Sequence, residues 1–108
     1  MNKLIIDTLK PLGVPVEFQT YRGDETTYIT FFNMLENVAS YADNKETSLG
    51  YHIQVDVWSS GNYGALVDSV LDTLKQAGFR RKYVTELYES DTEIYHKVIR
   101  VFYLKQII

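Results

Sequence analysis

Leu49-Gly50-Tyr51-His52-Ile53-Gln54-Val55-Asp56-Val57-Trp58-Ser59 alternates without a break. Leu49, Tyr51, Ile53, Val55 and Val57 fall on one face, and His52, Gln54, Asp56 and Trp58 on the other. Successive side chains of a strand point to opposite faces, so this pattern predicts a β-strand with one buried face. Its second face is polar but aromatic, which suits either solvent or the surface of another subunit.

Working outward towards the C-terminus, Ser59-Ser60-Gly61-Asn62 reads as a loop, with Asn62 in the N-cap position of a helix that runs to about Ala77. Leu66, Val67, Val70, Leu71 and Leu74 form its apolar stripe. Gly78 then stands where a left-handed residue closes a helix. Phe79 to Tyr88 is expected to be a strand, Glu89-Ser90-Asp91-Thr92 a turn, and Ile94 to Leu104 a final strand. That last strand is apolar on both faces. Val98, Phe102 and Leu104 share one; Tyr95, Ile99, Val101 and Tyr103 share the other. Such a strand is expected to be covered on both sides, by helix on one and by sheet or a neighbour on the other.

Towards the N-terminus the expectations are less regular. Residues 37–48, rich in Asn, Ser, Asp, Lys and Glu, read as a loop, and as a place where functional segments concentrate. Thr26 to Glu36 is β-branched and aromatic. Val16 to Thr20 is a short strand, and Arg22-Gly23-Asp24-Glu25 is a turn that suggests a hairpin between the two. Residues 2–12 carry Leu4, Ile5, Leu9 and Leu12 at helical spacing, stopped by Pro11 to Pro15. The expected order is α-β-β-β-α-β-β. It defines an α+β fold, a mostly antiparallel central sheet with two helices packed on one face, over a single domain of residues 1–108.

Composition bounds the function. Apolar residues make up 45% and charged residues 23% of the 108, an ordinary globular balance. A net charge of −3 and a pI near 5.3 argue against binding nucleic acid through its phosphates. With no cysteine, disulfides and Cys-based metal or redox sites are excluded. Lys3, Asp7 and Lys10 interrupt the N-terminal segment, unlike a signal peptide. No apolar run is long enough to span a bilayer. Nine Tyr, five Phe and one Trp are unusual, and amphipathic aromatics suit half-buried sheet faces and interfaces alike.

Chemistry is sparse. His52 and His96 fall in no metal-binding pattern, and His52, Gln54 and Asp56 on one strand face are too few ligands for a closed metal site. Asp24 and Glu25 are adjacent carboxylates on an open turn, where solvent keeps both ordinary. No serine sits in a nucleophile elbow. Ser59-Ser60-Gly61-Asn62 lacks the lysine and glycine spacing of a phosphate loop. The chain therefore reads as a non-enzymatic protein without cofactor or metal, whose work is contact.

Three segments together carry a resemblance. The first is Pro11-Leu12-Gly13-Val14-Pro15-Val16 followed by Tyr21-Arg22-Gly23-Asp24-Glu25-Thr26-Thr27-Tyr28-Ile29-Thr30-Phe31. The second is Tyr51 to Ser59 with Gly61-Asn62-Tyr63 opening a helix. The third is Ala77-Gly78-Phe79 and then Tyr95-His96-Lys97-Val98. In order and spacing the chain resembles the tail terminator, or tail completion, proteins of siphophages and prophages. The resemblance implies a small α/β domain that forms a ring, usually hexameric, at the head-proximal end of the tail tube. It implies the tail tube protein and the head connector or stopper as partners, with no membrane, and DNA passing through the lumen without specific binding. It also implies a place in the virion, at the head–tail junction, for a protein made in the bacterial host cytoplasm.

On that reading Tyr21, Arg22, Asp24, Glu25, Tyr41, Asp43, His52, Gln54 and Trp58 are expected at subunit or tail-tube interfaces. Two other stations keep the same chemistry: a head-completion or stopper protein of the connector, and a small non-catalytic regulator that binds one protein partner.

Overall fold

The computed structural model describes residues 1–107. Its elements are α1 (Asn2–Leu9), extended by a 3₁₀ turn (Lys10–Leu12), β1 (Val16–Phe18), β2 (Tyr28–Ala42), β3 (Lys45–Ser59), α2 (Gly64–Gln76), β4 (Arg80–Glu89) and β5 (Ile94–Gln106). One five-stranded sheet has the order β1-β2-β3-β5-β4. Every pairing is antiparallel except that of β1 with β2. The fold is α+β, in the expected element order.

The alternation along β3 does what its pattern dictates. Ile53, Val55 and Val57 are fully buried and meet Ile29 and Phe31 of β2 and Ile99 and Val101 of β5. Both helices close over this face, α1 through Ile5 and Leu9, and α2 through Val67, Val70 and Leu74. Each such side chain contributes about 1.5–3 kcal/mol by leaving water. The end of α2 is fastened as Gly78 predicts. Its φ is +98°, the Gly78 N–H donates to the Lys75 carbonyl, and the Phe79 N–H reaches back to the Leu74 carbonyl. That is a Schellman closure, with Leu74 and Phe79 both buried beside it. At the other end the helix begins at Gly64, with Tyr63 in the cap position; the Asn62 side chain accepts from the Gly64 N–H at 3.1 Å.

Two larger expectations fail, besides the N-cap of α2, which is Tyr63 and not Asn62. Val16 to Phe18 and Tyr28 to Phe31 do not form a hairpin; they run parallel, Val16 opposite Ile29 and Phe18 opposite Phe31. The Gly23 turn lies within a longer return. Gln19 turns at φ +65°, and the chain travels back to the start of β2 before that strand begins at Tyr28. The second failure is the loop at 37–48. Those residues are the distal half of a long hairpin in which β2 and β3 are 15 residues each, closed at Asp43 and Asn44. Both turn residues have positive φ, 52° and 64°, the conformation whose twist matches that of the flanking strands.

The hairpin extends past the rest of the sheet. β1 covers β2 only as far as Phe31, and β5 covers β3 as far as Ser48. The molecule measures 54 × 25 × 24 Å, and its radius of gyration is 15.2 Å, above the roughly 13 Å of a compact chain this long. The excess is this arm.

Candidate interaction surface

The sheet face turned away from the helices is built from β3 and its two neighbours. Register sets Trp58 opposite both Tyr28 and His96, Asp56 opposite Thr30 and Val98, and Gln54 opposite Arg100. Alternation then puts all of these side chains on the same side. At one end aromatic rings lie side by side across the strands. Tyr21 stacks on Tyr28 at 4.4 Å, Tyr28 lies 6.0 Å from Trp58, and Trp58 stacks on His96 at 3.6 Å and 11°. The Trp58 indole N–H donates to Thr30 Oγ1 at 3.0 Å, which fixes the ring's rotation.

A polar relay sits beneath this row. Asp56 is buried, and its Oδ1 receives Nε2 of His96 at 2.7 Å and Nε2 of Gln54 at 2.9 Å. A carboxylate only accepts, so His96 carries its hydrogen on Nε2. Gln54 in turn accepts from Arg100 Nε at 3.2 Å. The relay satisfies a carboxylate that would otherwise be costly to bury, and it holds the Trp58–His96 stack flat on the sheet. Further along, His52 tilts against Phe102 at 5.0 Å, and the Lys82 ammonium lies 5.7 Å from the same ring.

On the helix side, burial pushes the Tyr63 phenol well above its ordinary range, helped by its 2.6 Å hydrogen bond to Glu86. This bond ties the start of α2 to β4. Burial also raises Tyr28, with the charge of Glu89 adding to it.

The structure divides the predicted contact residues into two groups. Tyr21, His52, Gln54 and Trp58 are brought onto the one aromatic-polar face. Arg22, Asp24 and Glu25 are exposed on the return segment at its border, where the Tyr21 hydroxyl accepts from the Glu25 N–H at 3.0 Å. Tyr41 and Asp43 are elsewhere, at the arm's tip, on the order of 40 Å along the strand from Trp58. Tyr41 is 64% exposed.

Several surface residues escaped sequence reasoning. Asp56 and His96 are 40 residues apart in sequence, and only the pairing of β3 with β5 joins them. Met34 and Leu35 on the arm and Tyr83, Leu87 and Tyr88 on β4 are large, apolar and exposed. One signal was available: the whole of β2, Tyr28 to Ala42, carries a single charge, Glu36. Exposed edges ordinarily carry lysine or proline to prevent pairing.

Fold and surface together define a class, a small α+β protein with a mostly antiparallel sheet, helices on one face and an open, aromatic-polar second face. No protein family matches the sequence, and no curated protein does. Among solved structures, the chain is similar to one from the virion of a native gene transfer agent particle. The TM-score is 0.67 at 12% identity, covering 98% of this chain and 94% of that one. At that identity the likeness is one of fold.

Proposed function

We propose that this chain is a virion structural protein, and within that class a tail terminator. The carrying observation is that its fold follows, over nearly its full length, that of a chain from the virion of a native gene transfer agent particle. The sequence resemblance set out above supports the narrower reading. So does a surface with two open sheet edges, which suits a protein that meets copies of itself.

On this reading copies join head to tail into a ring, hexameric by analogy, that sits on the head-proximal end of the tail tube. A tube grows by repeating one interface. A terminator matches half of that interface and presents a different surface on the other side, so addition stops. The second surface then docks to the connector of the filled head. Tyr21, Arg22, Asp24, Glu25, His52, Gln54 and Trp58 belong to one contact patch on the main body, and Tyr41 and Asp43 to another at the arm's tip. The acidic balance of the chain disfavours sticking of DNA that passes through the lumen.

The test is assembly of particles lacking the chain. Tails longer than normal and unattached to heads are the expected result, with both defects reversed by adding the purified protein. Normal tails already joined to heads would sink the proposal.

A further inference from the structure

We infer that copies of this chain join by strand addition, the free edge of the β2 arm in one copy pairing antiparallel with the free edge of β4 in the next. This rests on the self-assembling role proposed above and specifies its contact.

The sheet ends in two unlike edges. On the β2 side, β1 covers only Ile29 to Phe31. From Phe32 to Ala42 the outward N–H and C=O groups meet no partner among the described residues. On the other side β4 pairs only with β5 among the described residues, so the outward groups of Arg80 to Glu89 are free there as well. The two free edges are nearly equal in length. Unpaired strand edges are templates for another strand, and strand addition supplies affinity through the main chain.

Direction fits. β2 runs antiparallel to β3, while β4, through β5, runs parallel to β3. When two copies are set side by side to continue one sheet, the neighbour's β2 runs antiparallel to β4, the more stable ladder. Side chains fit the same arrangement. With the arm's turn beside Arg80, the base of the arm lies beside Leu87 and Tyr88. Met34 and Leu35, exposed on one copy, then meet Leu87 and Tyr88, exposed on the other. Asp43 and Glu46 at the turn meet Arg80, Arg81 and Lys82. Apolar meets apolar at one end of this register and acid meets base at the other, while Glu36 falls opposite Glu86, a like-charged pair that the main-chain ladder must outweigh. A pairing of arm with arm about a two-fold axis would offer the turn only its own Lys45 as a basic partner. Because the two edges differ, the contact is heterologous and propagates head to tail, closing as a ring where the rotation allows.

The chain has no cysteine, so disulfide trapping is clean. Leu35→Cys and Leu87→Cys are made singly in the full chain, mixed in equal amounts and mildly oxidised. The expected product is a covalent dimer containing one of each, with little from either variant alone; the double variant gives a ladder of multimers. Met34→Cys with Tyr88→Cys serves as a second pair one position along the same register. If both mixtures remain uncross-linked, in free solution and on purified tail tubes, the inference fails. It fails equally if Leu35→Cys alone cross-links as well as the mixture, since that is the two-fold contact. A charge test runs alongside. Arg81→Glu with Lys82→Glu should weaken self-association about tenfold or more, and Asp43→Lys with Glu46→Lys should restore it. Unchanged association with the fold intact counts against the proposed register. A chain that caps tubes without cross-linking loses only this inference; one that cross-links but ignores tubes loses only the terminator reading.

Discussion

Asp56 shows how one buried carboxylate organises a surface. It lies on the sheet face that no helix covers, yet it is almost fully buried, with His96 and Gln54 bonded to it. Removing one partner of such a pair leaves the other charge uncompensated, and the cost is larger than the net worth of the pair. His96→Ala also strips the ring that stacks on Trp58. The expected loss is about 2–4 kcal/mol in urea unfolding. His52→Ala, on the same face but with only a tilted contact to Phe102, should cost less than about 1 kcal/mol. Equal costs would mean that the Asp56 relay does not hold this face together.

Tyr63 makes a second residue-scale case, this time with pH. Its folded phenol holds its proton at pH values where an unfolded tyrosine, with a pKa near 10, has lost it. The stability it contributes is therefore complete below about pH 10 and is lost as pH rises through the higher folded value. Tyr63→Phe removes the bond to Glu86, and because Glu86 is exposed, water replaces much of it. The variant should be less stable by about 1 kcal/mol at pH 7. That gap should narrow in denaturation series taken above pH 10. A constant gap would mean that the phenol's protonation is not linked to folding.

At the scale of elements, what could be read in the sequence was what burial writes there. β3 shows period-2 alternation because one face is core. α2 shows a stripe because one side is core, and Gly78 announces its end because no other residue suits φ +98°. The distal hairpin was illegible for the same reason. Asn37, Ser40, Asp43, Lys45 and Glu46 face solvent on both sides of the ribbon, so no alternation is imposed and polar composition imitates a loop. The parallel pairing of β1 was hidden by proximity. A glycine turn between two apolar runs favours a hairpin, but β1 is only three residues long, and its place is set by Phe18 packing on Phe31 and by the Gln19 N–H to Phe31 carbonyl bond. The aromatic-polar face was half legible. Strand alternation put His52, Gln54 and Trp58 together, whereas His96, Arg100 and Tyr28 join them only through pairings between strands distant in sequence.

For the whole molecule, the decisive property is that stability and protrusion are separate. The core gathers α1, α2 and the body of the sheet, and its buried apolar residues on the hairpin stop at Phe31 on β2 and begin at Tyr51 on β3. The arm beyond them orders backbone and buries little, a net cost in conformational entropy that folding alone does not justify. An element that is expensive to order, nearly free of charge along β2 and open at its edge fits the strand addition proposed above. Cutting the arm back, by joining Val38 to Leu49 through an Asn-Gly turn, tests this directly. These two residues already face each other across the hairpin. The shortened chain should unfold cooperatively, with its midpoint within about 5 °C of the parent, because little core is lost. In sedimentation it should remain a monomer at concentrations where the full chain associates. A large fall in melting temperature would instead make the arm a structural part of the fold, and association that survives the cut would move the contact to the aromatic-polar face around Trp58.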